Sequence, residues 1–271
     1  MQTYGNPDAS KTVVFLHGIM GNKRNWRNPS LLLVKANPDV RCITMDLRGH
    51  GDSQYFPGEN TVQNCADDLH ETFQKFNIQP TVLSAHSFGG KVALKYLEMT
   101  REVVKAPETT WILDSMPGKY SMNPDKNSVM TVLEVVKSIP KTFPSRDWLL
   151  TFLTKEKKLT MALAQWLATN AIGTKEEYYL GLNINTILEL MTDFCNLDAW
   201  PILENYDGEE NITYLRAANN LNWSQETLDR LRAIESRNDK VKLLEMSNVG
   251  HWLHAEDPAG LLAIMRAHSD L

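Results

Sequence analysis

The segment Ser84-Ala85-His86-Ser87-Phe88-Gly89-Gly90 sets a serine between an apolar run and a stretch of helical spacing, with a small residue two positions away on either side. That spacing fits a nucleophile elbow, a strained strand-to-helix turn in which Ala85 and Gly89 must be small so that strand and helix pass closely while Oγ projects. The chemistry such a turn serves is acyl transfer. The first amides of the following helix, Phe88 among them, and the positive end of its dipole lie where an oxyanion develops. A second donor is available in His17-Gly18-Ile19-Met20-Gly21, a tight turn whose Ile19 N–H can address the same oxygen. A serine at its ordinary pKa also needs a base. Of the seven histidines, His251 in Asn248-Val249-Gly250-His251-Trp252-Leu253-His254 follows the last predicted strand, and strand ends in such sheets converge on one crevice. His17 reads as a buried structural histidine, and His50, His70, His254 and His268 as surface or helix-capping ones. An acid must hold the tautomer of the base. The loop Arg216–Gln225 contains no carboxylate, so the remaining strand-end acid is Asp114, 27 residues after Ser87, with Asn219 or Asn220 as a neutral alternative. The polar loop Asp46-Leu47-Arg48-Gly49-His50-Gly51-Asp52-Ser53 is expected to brace itself and is given no catalytic role.

These residues need a sheet to carry them. Thr12–Leu16, Arg41–Met45, Thr81–Ala85 and Thr110–Leu113 are short apolar runs rich in β-branched residues, alternating with helical patterns such as Val62–Phe76, as a largely parallel α/β sheet requires. From about Gly118 to Trp200 the strand signal vanishes. Leu159, Ala162, Leu163, Trp166 and Leu167, then Ile187, Leu190, Met191, Phe194 and Cys195, follow amphipathic helical spacing. Strand character returns at Ile212–Leu215 and Val241–Met246, with helices around Ser224–Arg237 and after Pro258. The expected organisation is a core of residues 1–117 and 201–271 interrupted by an all-helical insertion, 118–200.

Composition narrows the function classes. The chain has 271 residues, 28 basic and 33 acidic for a net charge of −5, and 42% hydrophobic residues, an ordinary globular balance without the basic field that nucleic-acid binding needs. Cys42, Cys65 and Cys195 are widely spaced and odd in number, which suggests neither a disulfide framework nor a metal cluster and points to a reducing, cytoplasmic setting, or an organelle lumen if a targeting segment has been removed. No window approaches the ~20 apolar residues that span a bilayer. No phosphate loop, metal cluster or dinucleotide fingerprint is present, so no cofactor and no metal is expected.

Taken together, these motifs resemble those of the α/β-hydrolase superfamily, in the order Ser87, Asp114, His251. The likeness is closer to small esterases of the α/β-hydrolase domain-containing protein 11 type and their bacterial counterparts, through Phe15–Asn22 with Asn25-Trp26, Asp46–Ser53, His86–Lys91, Leu113–Pro117 and Gly250–Glu256. Ala85 and Phe88 stand where that pattern more often has Gly and Met. The resemblance implies a mostly parallel central sheet flanked by helices, a helical cap after the sixth strand, the triad acid at Asp114, and hydrolysis of carboxylic esters or thioesters. The expected mechanism has Ser87 attack, His251 take the proton, Phe88 and Ile19 receive the oxyanion, and Met20, Trp166 and Trp252 contact a small-molecule acyl ester under an apolar roof of Phe152, Met161, Trp166, Met191 and Phe194. The alternatives are a lyase or carbon–carbon bond hydrolase using the same residues, and a ligand-binding receptor with a weak triad. Oligomeric state, monomer or dimer, is left open.

Overall fold

The computed structural model describes residues 1–54, 57–121, 128–174 and 177–271. Its strands are β1 (Gln2–Tyr4), β2 (Lys11–Leu16), β3 (Val40–Met45), β4 (Val82–His86), β5 (Thr109–Leu113), β6 (Ala171–Gly173), β7 (Tyr178–Leu180), β8 (Asn211–Ala217) and β9 (Val241–Met246). Seven of them form one sheet in the order β1-β3-β2-β4-β5-β8-β9, parallel except for β1. Its central strands are almost wholly buried and mostly apolar because both faces are covered. Alternate residues serve opposite cores: Val14, Leu16, Leu83, Ala85 and Ile112 pack on one side, and Val13, Phe15, Val82, Trp111 and Leu113 on the other.

The helices are α1 (Arg27–Ala36), α2 (Val62–Lys75), α3 (Phe88–Thr100), α4 (Ser128–Lys137), α5 (Arg146–Thr151), α6 (Met161–Ala168), α7 (Ile184–Asn196), α8 (Trp200–Glu204), α9 (Gln225–Glu235), α10 (Leu253–Glu256) and α11 (Pro258–His268). Helices α1 and α11 contact each other and give Leu33, Leu261, Leu262 and Met265 to one core, whereas α2, α3 and α9 bury Leu69, Val92 and Leu231 in the other. Each fully buried side chain of this kind contributes about 1.5–3 kcal/mol. The chain leaves β2 toward β3 and leaves β4 toward β5, in opposite directions across the sheet, so a crevice opens at the carboxyl ends of β2 and β4. Ile19 and Ser87 follow those two strand ends.

Two expectations are corrected. The 118–200 insertion is not all-helical, because β6 and β7 pair as an antiparallel ribbon with Ile172 opposite Tyr179. Strands of three residues are too short to register as a period, although Ile172, Tyr178 and Tyr179 are good strand formers. The insertion follows the fifth strand in chain order, not the sixth, since only β1 precedes β2. Strand β1 itself, with two exposed residues at the sheet edge, carries too little apolar pattern to be foreseen. Among the described residues, no helix is long and apolar enough to cross a membrane.

Candidate active site

The turn after β4 is strained as the elbow spacing requires. Ser87 has φ 52° and ψ −115°, its N–H donates to Leu113 O at 2.9 Å, and α3 begins at the next residue. Gly89 is there because nothing larger fits: a Cβ would lie 2.8 Å from His17 O and 3.1 Å from Leu16 Cβ. Gly89→Ala is therefore expected to cost about 1–3 kcal/mol, since backbone and strand must shift, and a denaturant titration of the purified variant measures it.

Ser87 Oγ lies 3.0 Å from His251 Nε2, and His251 Nδ1 lies 2.7 Å from Asp114 Oδ2. The carboxylate can only accept, so Nδ1 carries the hydrogen and Nε2 is left free to accept the serine proton. Asp114 sits at the end of β5 with φ 49°, its own N–H bonded to Leu215 O. Its Oδ1 accepts from Ala217 N at 2.9 Å and Trp223 Nε1 at 2.8 Å, and its Oδ2 from Asn220 Nδ2 at 2.6 Å as well as from His251. The loop without a carboxylate thus supplies donors to the acid. Asn220, considered as a neutral substitute for Asp114, binds Asp114 instead, and Asn219 donates only its backbone amide, to Val249 O. Trp223 was invisible to sequence reasoning, because an indole after β8 has no spacing that ties it to β5.

The other histidines brace the loops. His17 Nε2 accepts from Leu47 N and His50 Nε2 from Met20 N, so each ring's Nδ1 donates to a neighbouring carbonyl, Gly18 O or Arg48 O. His50 and His254 are buried, which corrects their reading as surface or capping residues. Their apolar stacking hid them: His254 lies 4.6 Å from the Trp26 ring and 4.5 Å from that of His86. His86 donates from Nε2 to His251 O at 2.7 Å, tying the base's backbone to the end of β4. Burial, with the neighbouring histidines, pushes His86 well below the ordinary imidazole range and takes His50 and His254 down to about 3. These rings stay neutral beside His251. The 46–53 loop does brace itself: Asp46 accepts from the amides of Lys23 and Asp52 and from Lys23 Nζ, and Arg48 pairs with Asp68 at 2.8 Å.

Ser87 opens into a cavity that His251 and Asp114 also line. Its walls are mainly apolar, with Ile19 and Phe88 from the core, Met116 after β5, and Met191, Phe194 and Cys195 from α7. As the first residue of α3, Phe88 has an amide without an intrahelical acceptor. Two roof residues, Met191 and Phe194, line this cavity. The rest do not. Met20 is fully buried, its carbonyl held by Asn170 Nδ2, and Trp166 packs 5.7 Å from the Trp252 ring. Trp252 lines an adjoining, more polar cleft that shares His251 and Asn220 with this cavity, beside Asn222 and Glu256. Phe152 stacks on Trp148, and Met161 is exposed. Met20, Trp166 and Trp252, expected as substrate contacts, are therefore not among the walls of the Ser87 cavity: apolar character marks them for burial, but the contact of α6 with α10 decides which surface Trp166 and Trp252 cover. Cys195 and Tyr120, which do line the cavity, were not singled out from the sequence, although Cys195 shares the Met191–Phe194 helical stripe. Among the described residues, no group of three or more His, Cys, Asp or Glu is arranged to hold a metal.

A parallel sheet with a hydrogen-bonded serine, histidine and aspartate at the carboxyl ends of its strands defines a hydrolase architecture. The chain belongs to the alpha/beta hydrolase family, whose pattern it matches over residues 13–264. It is similar to the sn-1-specific diacylglycerol lipase ABHD11 of Mus musculus, 24% identical over 259 residues that make up 91% of this chain and 76% of the relative. Among solved structures it resembles a marine microorganism esterase, with TM-score 0.79 and 20% identity over 99% of this chain and 98% of the other. It also resembles E-2-(acetamidomethylene)succinate hydrolase, with TM-score 0.75 and 14% identity over 94% and 90% of the two chains. Identities this low carry the fold, and the hydrolase assignment comes with the family.

Proposed function

We propose that the chain is a serine esterase that cleaves carboxylic esters, thioesters included, of small to medium apolar acyl groups through an acyl-enzyme on Ser87. The observation that carries this reading is the continuous hydrogen-bonded path Ser87–His251–Asp114 opening into an apolar cavity. Ser87 attacks the acyl carbonyl as His251 Nε2 takes its proton, and the amides of Phe88 and Ile19 receive the oxyanion. His251 returns the proton to the leaving alcohol, then activates a water that frees the acid. The similarity to a diacylglycerol lipase and to an esterase supports ester chemistry, and the apolar walls support an uncharged acyl group. The same reading makes 118–200 a lid over a core of 1–117 and 201–271, supported by α7, which forms one wall of the cavity. Three buried, unpaired cysteines suit a reducing, cytoplasmic compartment.

A fluorophosphonate probe followed by peptide mapping tests the reading. The expected result is rapid labelling confined to Ser87, together with turnover of a series of p-nitrophenyl esters that declines as the acyl chain outgrows the cavity. Folded protein that takes no label overturns the esterase and favours a ligand-binding receptor. Labelling without turnover of any ester or thioester points to lyase or carbon–carbon bond hydrolysis.

A further inference from the structure

Lys91 lies one turn beyond Ser87 on α3, fully buried, and the mechanism makes no use of it. Its Nζ donates to Gly118 O at 2.8 Å, Phe194 O at 2.8 Å and Leu197 O at 2.7 Å. Gly118 is on the outgoing crossing between core and insertion, while Phe194 and Leu197 are on the returning one at the end of α7. The crossings are themselves joined by two backbone bonds, Ala199 N to Pro117 O and Tyr120 N to Cys195 O, each 2.9 Å. An ammonium has three N–H groups, and here all three are spent on this neck. Phe194 O belongs to the last turn of α7, where carbonyls lack helical partners and a cation complements the dipole. The Phe194 ring lies 4.5 Å from Nζ and 5.8 Å from the ring of Phe88.

We propose that Lys91 is a positioning residue that pins both crossings of the 118–200 insertion to the nucleophile helix and so fixes the depth of the acyl cavity. The inference rests on the esterase reading above. Its physical ground is that burying an ammonium is costly and a methionine would fill the same space without that cost, so the charge is accounted for by its three acceptors. No ion pair recorded among the described residues includes Lys91. The charged and titratable groups that act on it are Asp193, Cys195 and Asp198, all on the returning crossing. Both carboxylates are engaged elsewhere, Asp193 with Val62 N and Asp198 with Trp200 N. Of the residues whose carbonyls Lys91 holds, Phe194 is a cavity wall, and Gly118 and Leu197 each lie two residues from the wall residues Tyr120 and Cys195, which are bonded to each other. Burial lowers the ammonium to about 8. A neutral amine has two N–H groups and cannot serve three carbonyls, so the latch is complete below that pH and loosens as pH rises through it.

The test compares wild type, Lys91→Met and Lys91→Arg between about pH 6.5 and 9.5. One measurement is the ratio of kcat/KM for a short and a long p-nitrophenyl ester, normalised to fluorophosphonate-titrated sites. The other is hydrogen exchange at the amides of residues 118–120 and 194–199, corrected for the intrinsic rate. In wild type the short-to-long ratio is expected to fall about tenfold as pH passes through 8, with neck protection falling in parallel. Lys91→Met should show the lower ratio and faster neck exchange at every pH. Lys91→Arg, which stays charged, should show neither pH step. A Lys91→Met protein that keeps the wild-type ratio, its pH step and its neck protection overturns the proposal. If the protein cleaves no ester, the esterase reading fails, and the exchange comparison alone still decides whether Lys91 pins the neck.

Discussion

Ser87→Ala is expected to lower kcat for esters by about 10⁶-fold and to abolish fluorophosphonate labelling, while KM and the thermal transition change little. The size follows from the geometry. His251 Nε2 has Ser87 Oγ at 3.0 Å as its hydrogen-bond partner, so without that oxygen the proton relay has nothing to activate except water, which must enter an apolar cavity to be used. The oxyanion donors and the acyl cavity survive the substitution, and they alone account for a residual rate about 10³–10⁴ above uncatalysed hydrolysis. Stability is spared because the strain at φ 52° belongs to the backbone, and alanine has no larger side chain to accommodate there. Matched progress curves and melting scans on the two proteins check both halves of the expectation. A Ser87→Ala protein within tenfold of wild type would move the nucleophile elsewhere.

How much of this arrangement the sequence could convey depends on whether local spacing or a distant partner decides each part. The elbow is local: strand, small residue, serine and small residue must follow in order, because Gly89 has no room for a Cβ beside His17 O. The six longer strands of the sheet are legible as short runs rich in apolar and β-branched residues, since most of their positions are covered by helices, with Ser84, His86, Thr110 and Thr213 among the buried polar exceptions. His251 is legible from its place after the last strand. Asp114 required elimination, because the pairing of β5 with β8 that brings Leu113 opposite Leu215 leaves no trace in spacing. What lay outside the sequence was partner choice. Helical periodicity marks Trp166 and Phe194 alike as inward-facing, yet one packs on Trp252 and the other forms a wall of the cavity. Lys91 is the sharpest case. A lysine on a helix would ordinarily be expected to reach solvent, and only the return of α7 over α3, together with Gly118 on the outgoing crossing, supplies the carbonyls that surround it.

Asp114→Asn carries the second large effect, about 10⁴-fold in kcat with a far smaller change in KM. The carboxylate accepts four hydrogen bonds, two on each oxygen, and an amide can satisfy only one pair. If the Asn oxygen faces Ala217 N and Trp223 Nε1, its NH₂ group meets His251 Nδ1 and Asn220 Nδ2. His251 must then accept at Nδ1 and carry its hydrogen on Nε2, where it donates to Ser87 and can no longer act as the base. If the amide turns over, its NH₂ meets two fixed donors in Ala217 and Trp223, at a cost of about 1–3 kcal/mol for each group left unpaired. Asn220 cannot absorb the conflict by rotating, because its Oδ1 already accepts from Asn222 N at 3.1 Å. The first orientation is therefore favoured, giving a folded protein with the wrong tautomer. Steady-state kinetics at neutral pH, together with nitrogen-15 shifts of His251, distinguish this from simple unfolding: hydrogen on Nε2 with native melting is the expected signature. Full activity in Asp114→Asn would mean that the base is oriented by some other group.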